Sequence, residues 1–193
     1  MALLDLRLRE FLDEVAAEGR TPGGGTVAAL VTAAAAGLLA KVARASKGAW
    51  PDAAGIAAQA VSLRDRAAPL AQVAADEYVA ALRAREETGE GSVERRDFAL
   101  GRAYARAAEP PLRIVEAAAD VAHLAVAVAR HGEPSLRADA VAAGALAAGA
   151  ARAATELVAV NLTASAGDER VLRARALTEE AARAAEEARA AQE

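Results

Sequence analysis

The chain has 193 residues, 54% of them apolar and mostly alanine, with only 3% aromatic; that is enough for one sizeable core and points to helix throughout rather than to sheet. Its 23 basic residues are interspersed with 27 acidic ones for a net charge of -4, which excludes the basic footprint of a nucleic-acid-binding protein. Zero cysteines exclude disulfides, thiolate catalysis and cysteine-based metal sites, and two histidines leave little else to hold a metal.

In chain order, charges within Met1 to Glu10 interrupt the apolar run too early for a signal peptide, which predicts a cytoplasmic protein. Leu4, Leu8, Phe11, Leu12 and Val15 form one stripe of an amphipathic helix that should end near Gly19 and turn that stripe to the core. Thr21-Pro22-Gly23-Gly24-Gly25-Thr26 then breaks the composition. Three glycines let backbone N–H groups approach a bound group, and the following helix start favours an anion. On the glycines alone, a flexible loop with an N-cap at Thr26 is the simpler reading. No Gly-Lys-Ser/Thr follows, so this is not a nucleotide loop.

Thr26 to about Arg44 is apolar all round, too short and too Ala-rich for a membrane span, and should be a central buried helix. Pro51 suits a helix N1 position, and the pattern from Asp52 to Glu87 should kink or break at Pro69, with Val73 and Tyr78 facing the core. A loop at Thr88 to Ser92 precedes a helix that must end before Pro110-Pro111. Leu112 to Arg130 is the next helix, closed by His131-Gly132. The sixth runs from Leu136 to Thr163; Ala143-Gly144, Ala147-Ala148 and Ala151 keep one face free of bulk, so backbones can approach there. Asp168 should cap a last helix to about Ala191.

These elements predict an all-α, single-domain bundle of about six to seven helices spanning 1–193. So few large side chains limit the apolar area buried per residue, at roughly 25 cal/mol per Å2, which predicts pairing into a homodimer. Polar groups within apolar faces single out Lys47, Asp76, Tyr78, Asp139 and Asn161. Taken singly, each reads most simply as a cap, a surface charge or a satisfied polar bond. Asp120 and His123 at i, i+3 are one pair where a di-metal bundle needs two, so no metal is expected.

Together and in this order, these places resemble the cyclodeaminase/cyclohydrolase family, comprising the C-terminal domain of formiminotransferase-cyclodeaminase and stand-alone bacterial methenyltetrahydrofolate cyclohydrolases. Pro22-Gly23-Gly24-Gly25-Thr26 is similar to the family's Pro-Gly-Gly-Gly-Ser, Ser46-Lys47-Gly48 to its Thr-x-Gly-Lys region, and Asp76-Glu77-Tyr78 to its Asp-x-x-Ala-Phe/Tyr segment. Ala107 to Leu112 resembles its Ala-x-x-Val-Pro-Leu, Asp139 stands for the aspartate of its Ser-Asp, and Val160-Asn161-Leu162 matches its Ile-Asn-Leu. The turn Gly132 to Asp139 keeps the family's glycine and aspartate but loses two asparagines and a serine.

The resemblance implies chemistry at the carbon bridging N5 and N10 of tetrahydrofolate, by acid/base steps with no cofactor beyond tetrahydrofolate as the substrate carrier. Asp139 is the expected proton-transfer carboxylate and Lys47 its charge partner or a folate donor. Pro22, Gly23, Gly24, Gly25 and Thr26 are expected to hold the substrate, supported by Asp76 and Asn161. Methenyltetrahydrofolate cyclohydrolase is the first expectation, on the ground that no transferase domain is attached; formiminotetrahydrofolate cyclodeaminase and a non-catalytic folate-binding dimer are the alternatives. The expected partner is a folate, with neither nucleic acid nor membrane.

Overall fold

The computed structural model describes residues 2–86, 92–162 and 167–191. Its described residues contain no strand and eight α-helices: α1 (Leu8–Ala16), α2 (Gly24–Ala45), α3 (Ala53–Ala67), α4 (Leu70–Glu86), α5 (Val93–Ala107), α6 (Glu109–His131), α7 (Arg137–Asn161) and α8 (Glu169–Ala190). The fold is all-α, as the composition predicts. Eight helices stand where six to seven were expected because the chain breaks completely at Pro69, whose missing N–H and ring cannot be accommodated inside a continuous helix. The expected loop at Thr88 to Ser92 falls, except for Ser92, outside the described residues, as does Thr163.

α6 is the hub, packed against α7, α8, α2 and α3, while α2 also lies along α7 and α3. Leu39 and Val42 of α2, Ile114, Val115, Val121 and Val128 of α6, and Val158 of α7 are the largest fully buried apolar side chains among the described residues. Between them alanine does the packing. A Cβ added at Gly144 on α7 would stand 3.3 Å from the Ala125 Cβ of α6 and 3.6 Å from the Ala185 Cα of α8. The small-residue face read from the sequence therefore admits two neighbours at close range.

α2 and the stretch Pro134–Asn161 are long and apolar enough to cross a membrane by length alone, but 61% of the α2 window is buried inside the protein. That is the signature of a core helix. Prolines 110 and 111 sit in the first turn of α6, where their missing N–H groups cost nothing. Ser92 caps α5 and Asp168 caps α8, each accepting from a backbone N–H of the first turn.

The structure corrects the sequence at three places. The stripe on α1 does not reach the core: only Phe11 is buried, while Leu4, Leu8, Leu12 and Val15 are 37–73% exposed. The helix is short, and one aromatic anchor holds it, leaving the rest of its apolar side uncovered. Val73 and Tyr78, expected in the core, are 39% and 38% exposed, because α4 turns Leu70, Ala71, Ala75, Ala81 and Leu82 inward instead. Finally, α2 begins with Gly23 as its N-cap, not with Thr26, so the glycine run forms the first turn of the helix itself.

Candidate functional site

A cleft of about 320 Å3 opens where the N-terminus of α2, the C-terminus of α7, the middle of α4 and the α5–α6 junction converge. Gly23, Gly24, Gly25 and Thr26 form one wall, and Leu157, Val160 and Asn161 from the last turns of α7 another. Ala74, Ala75 and Tyr78 from α4 and Ala107 and Pro111 close the apolar floor. Arg20 is the only charged side chain among the described residues that line it.

None of the described glycines has a positive φ, so the glycine run is not there to make a left-handed turn. Space explains it. A Cβ on Gly25 would stand 3.1 Å from the Ala74 Cβ and 3.6 Å from Leu157 Cδ1, so glycine lets α2 close on α4 and α7 together. The first α2 bond runs from the Val27 N–H to the Gly23 carbonyl at 3.1 Å. The N–H groups of Gly24, Gly25 and Thr26 thus have no intrahelical acceptor, and with the helix dipole they make this wall electropositive.

Two expected ligand contacts also hold the walls together. The Thr26 hydroxyl is buried and donates to the Ala71 carbonyl at 2.9 Å, pinning α2 to α4. Its single proton is committed there, leaving its backbone N–H for the cleft. The Asn161 amide Nδ2 donates to the Ala107 carbonyl at 3.1 Å, tying the end of α7 to the end of α5 and fixing which way its Oδ1 points.

The remaining expected residues lie elsewhere. Pro22, preceded by a cis peptide bond, lines the neighbouring grooves rather than the cleft. Asp76 faces the outer of these, beside Leu3, Leu6 and Thr21, and accepts from Gln72 Nε2 at 2.9 Å. Asp139 is in the first turn of α7, 22 residues before Asn161 on the same helix, about 33 Å away at 1.5 Å rise per residue. Lys47 is exposed in the turn after α2, at that same far end. Asp139 pairs with Lys41 Nζ at 2.7 Å, not with Lys47; Lys41 lies one and a half turns earlier on the α2 face that meets α7.

The structure therefore brings the glycine turn and Asn161 together and leaves Asp139 and Lys47 at the opposite end of the bundle. Sequence reasoning missed Arg20 and misplaced Tyr78. Arg20 had no helical pattern to flag it, although it stands one residue before the Thr21-Pro22 break. No group of three or more His, Cys, Asp or Glu able to hold a metal occurs among the described residues. Within one chain the cleft offers a guanidinium, a phenol, a carboxamide and a helix N-terminus, which suits a flat, partly anionic ligand. Among the described residues, no carboxylate, imidazole or amine lines it.

The fold is shared with the crystal structure of formiminotetrahydrofolate cyclodeaminase from Thermotoga maritima, at a TM-score of 0.86 and 22% identity over 98% of this chain and 97% of that one. No curated protein matches the sequence. The family model described as formiminotransferase-cyclodeaminase matches residues 7–185, which takes in the glycine turn, Asp139 and Asn161. Spanning nearly the whole bundle, that match shows that the chain belongs to the formiminotransferase-cyclodeaminase family.

Proposed function

We propose that the chain is a folate enzyme acting on the one-carbon unit between N5 and N10 of tetrahydrofolate, and that it works as a homodimer. The observation that carries the reading is the convergence of the family-matched glycine turn and Asn161 on one cleft with an electropositive wall and an apolar floor. Cyclodeamination is the first reading. The Thermotoga protein, whose chain is of matching extent, is a cyclodeaminase, so a chain of this extent does not by itself favour the hydrolase.

In cyclodeamination, N10 attacks the formimino carbon on N5, the N10 proton is removed, and the amino group leaves as ammonia after gaining a proton. In the cyclohydrolase reaction, water adds to the methenyl carbon, losing a proton, and the bond to N5 then breaks. Each passes through a tetrahedral centre and needs a group that both accepts and returns a proton. Among the described residues lining the cleft of one chain there is none, apart from the Tyr78 phenol.

A second copy supplies it in this reading. The α2–α7 face carries an open apolar groove lined by Val27, Val31, Ala145, Leu146, Gly149 and Ala153 among others. A Cβ at Gly149 would meet nothing within 4 Å. Gly149 also lies near the midpoint between Asp139 and Asn161. A two-fold axis through that midpoint would run the two α7 helices antiparallel and bring Asp139 of each copy to the Asn161 end of the other. It would also cover Val15 and its exposed neighbours on α1.

Asp139 is then the proton carrier, with Lys41 beside it and Lys47 as a further cation facing the folate. Asp76 has a supporting place behind the glycine turn. The test is to supply the pure protein with 5-formiminotetrahydrofolate and with 5,10-methenyltetrahydrofolate, following the methenyl absorbance and ammonia. Methenyl gain with ammonia release supports cyclodeamination, methenyl loss without ammonia supports the cyclohydrolase, and binding without either reaction supports a non-catalytic folate binder, the reading that the changed turn at Gly132 to Asp139 raises.

A further inference from the structure

A second pocket, of about 280 Å3, lies where the end of α3, the start of α4, α6 and α8 meet, and it shares no lining residue with the cleft. Arg66 from α3, Arg113 from α6 and Arg173 from α8 line it, and Glu116 and Asp120 of α6 are its only carboxylates among the described residues. Three guanidinium groups against two carboxylates leave a positive charge in excess, in a chain whose net charge is -4.

The excess falls on Arg113. Glu109 and Glu116 stand one turn to either side of it on α6, where a helix normally pairs opposite charges. α8 takes both: Arg170 Nη1 pairs with Glu109 at 3.4 Å and Arg173 Nη2 with Glu116 at 2.7 Å. Asp120 is taken by Arg66. Arg113 is left with no ion pair or side-chain hydrogen bond among the described residues, between two arginines that have theirs. Leu70, buried, and Leu177, half-buried, give the same pocket an apolar part.

We propose that this pocket binds a small organic phosphate, its dianion held by Arg113 between Arg66 and Arg173 and its apolar body set against Leu70 and Leu177. Guanidinium groups meet phosphate through paired N–H donors, and donors from three helices suit the oxygens of a tetrahedral group better than the single plane of a carboxylate. Arg66 and Arg173 keep their carboxylate partners, since a guanidinium has donors to spare and both pairs are open to water. The site is independent of the folate reading. A phosphate that ties α3, α6 and α8 together stabilises the folded chain by its binding energy.

Phenyl phosphate is the probe, titrated calorimetrically into the full-length protein against inorganic phosphate and benzoate at equal ionic strength. The pH is held well above about 6, so that the phosphomonoester is a dianion. Phenyl phosphate should saturate a single site per chain, bind several-fold more tightly than inorganic phosphate and at least about tenfold more tightly than benzoate, and raise the melting temperature. Arg113→Gln, with unchanged helical content, should weaken it about 10- to 100-fold, as the loss of one charge-assisted contact allows. Arg113→Lys should keep part of the affinity, and Arg20→Gln at the folate cleft should keep all of it. Wild-type affinity in Arg113→Gln overturns the proposal, as does benzoate binding as tightly as phenyl phosphate. A loss in Arg20→Gln as large as that in Arg113→Gln places the phosphate in the cleft and overturns it too. Absence of saturable binding to the wild type overturns the site and leaves the folate reading standing.

Discussion

Single residues here act mainly through how closely backbones are allowed to approach. Gly132 follows α6, and a Cβ there would stand 2.4 Å from the Val128 carbonyl oxygen and 2.9 Å from Val42 Cγ1. The same carbonyl accepts the Gly132 N–H at 2.9 Å. Gly132→Ala is therefore expected to cost about 1–3 kcal/mol of stability, the range for overpacking a closed site, read by chemical denaturation. Thr26 makes a different point. Thr26→Val keeps the shape and removes the bond to Ala71, and should cost roughly 1 kcal/mol, whereas Thr26→Ser should restore most of it. A sequence shows that threonine follows three glycines; it does not show that the hydroxyl serves the neighbouring helix rather than a ligand.

Asp168 gives a pH test at the same scale. Its carboxylate is held down to about 2, below the ordinary 3.8, first by the hydrogen bond from the Arg170 side chain and then by the Arg170 backbone N–H that it caps. A lowered carboxylate pKa stabilises the fold above its unfolded value and loses that effect as pH falls through the folded one. Wild type should melt above Asp168→Asn at pH 5, and the gap between their melting temperatures should close as the pH is taken from about 4 to 2.

At the scale of helices, most of the architecture is legible. Pro69, Pro110-Pro111 and the cap at Asp168 each impose a local rule that the tertiary structure obeys. What the sequence cannot show is which part of an apolar face finds a partner. The stripe on α1 is well formed, yet Leu8 is 73% exposed and Leu12 56%. Periodicity reveals that a side is apolar and says nothing about what covers it. The same holds for Leu146 on α7, 44% exposed in the middle of a helix otherwise packed with alanine. If a second copy covers that groove, Leu146→Arg places a charge in the interface. It should give a folded monomer by circular dichroism and light scattering, with activity reduced at least tenfold. A Leu146→Arg protein that stays dimeric removes this face from the interface.

For the molecule as a whole, the candidate site divides along the length of the bundle. The sequence gathers Gly23 to Thr26, Asp139 and Asn161 into one set because all three match one family pattern, and a linear pattern carries no distance. The structure separates them to the two ends of α7. Among the described residues, the cleft end has the shape and field for a folate but no lining carboxylate, whereas Asp139 and Lys41 pair at the other end and line neither the cleft nor the grooves beside it. Two copies related by an antiparallel axis complete both ends at once, which is the reason the dimer and the chemistry stand as one proposal.

Complementation between inactive subunits tests that proposal most directly. Asp139→Asn and Asn161→Ala are each purified, checked for helical content, mixed under conditions that exchange subunits, and assayed for methenyl formation and ammonia release. A mixed dimer would have one site with both defects and one with neither, so activity should return to about a quarter of the wild-type value at equal mixing. If exchange is demonstrated and the mixture shows no more activity than the two variants separately, Asp139 and Asn161 do not meet across a dimer, and the composite site is wrong.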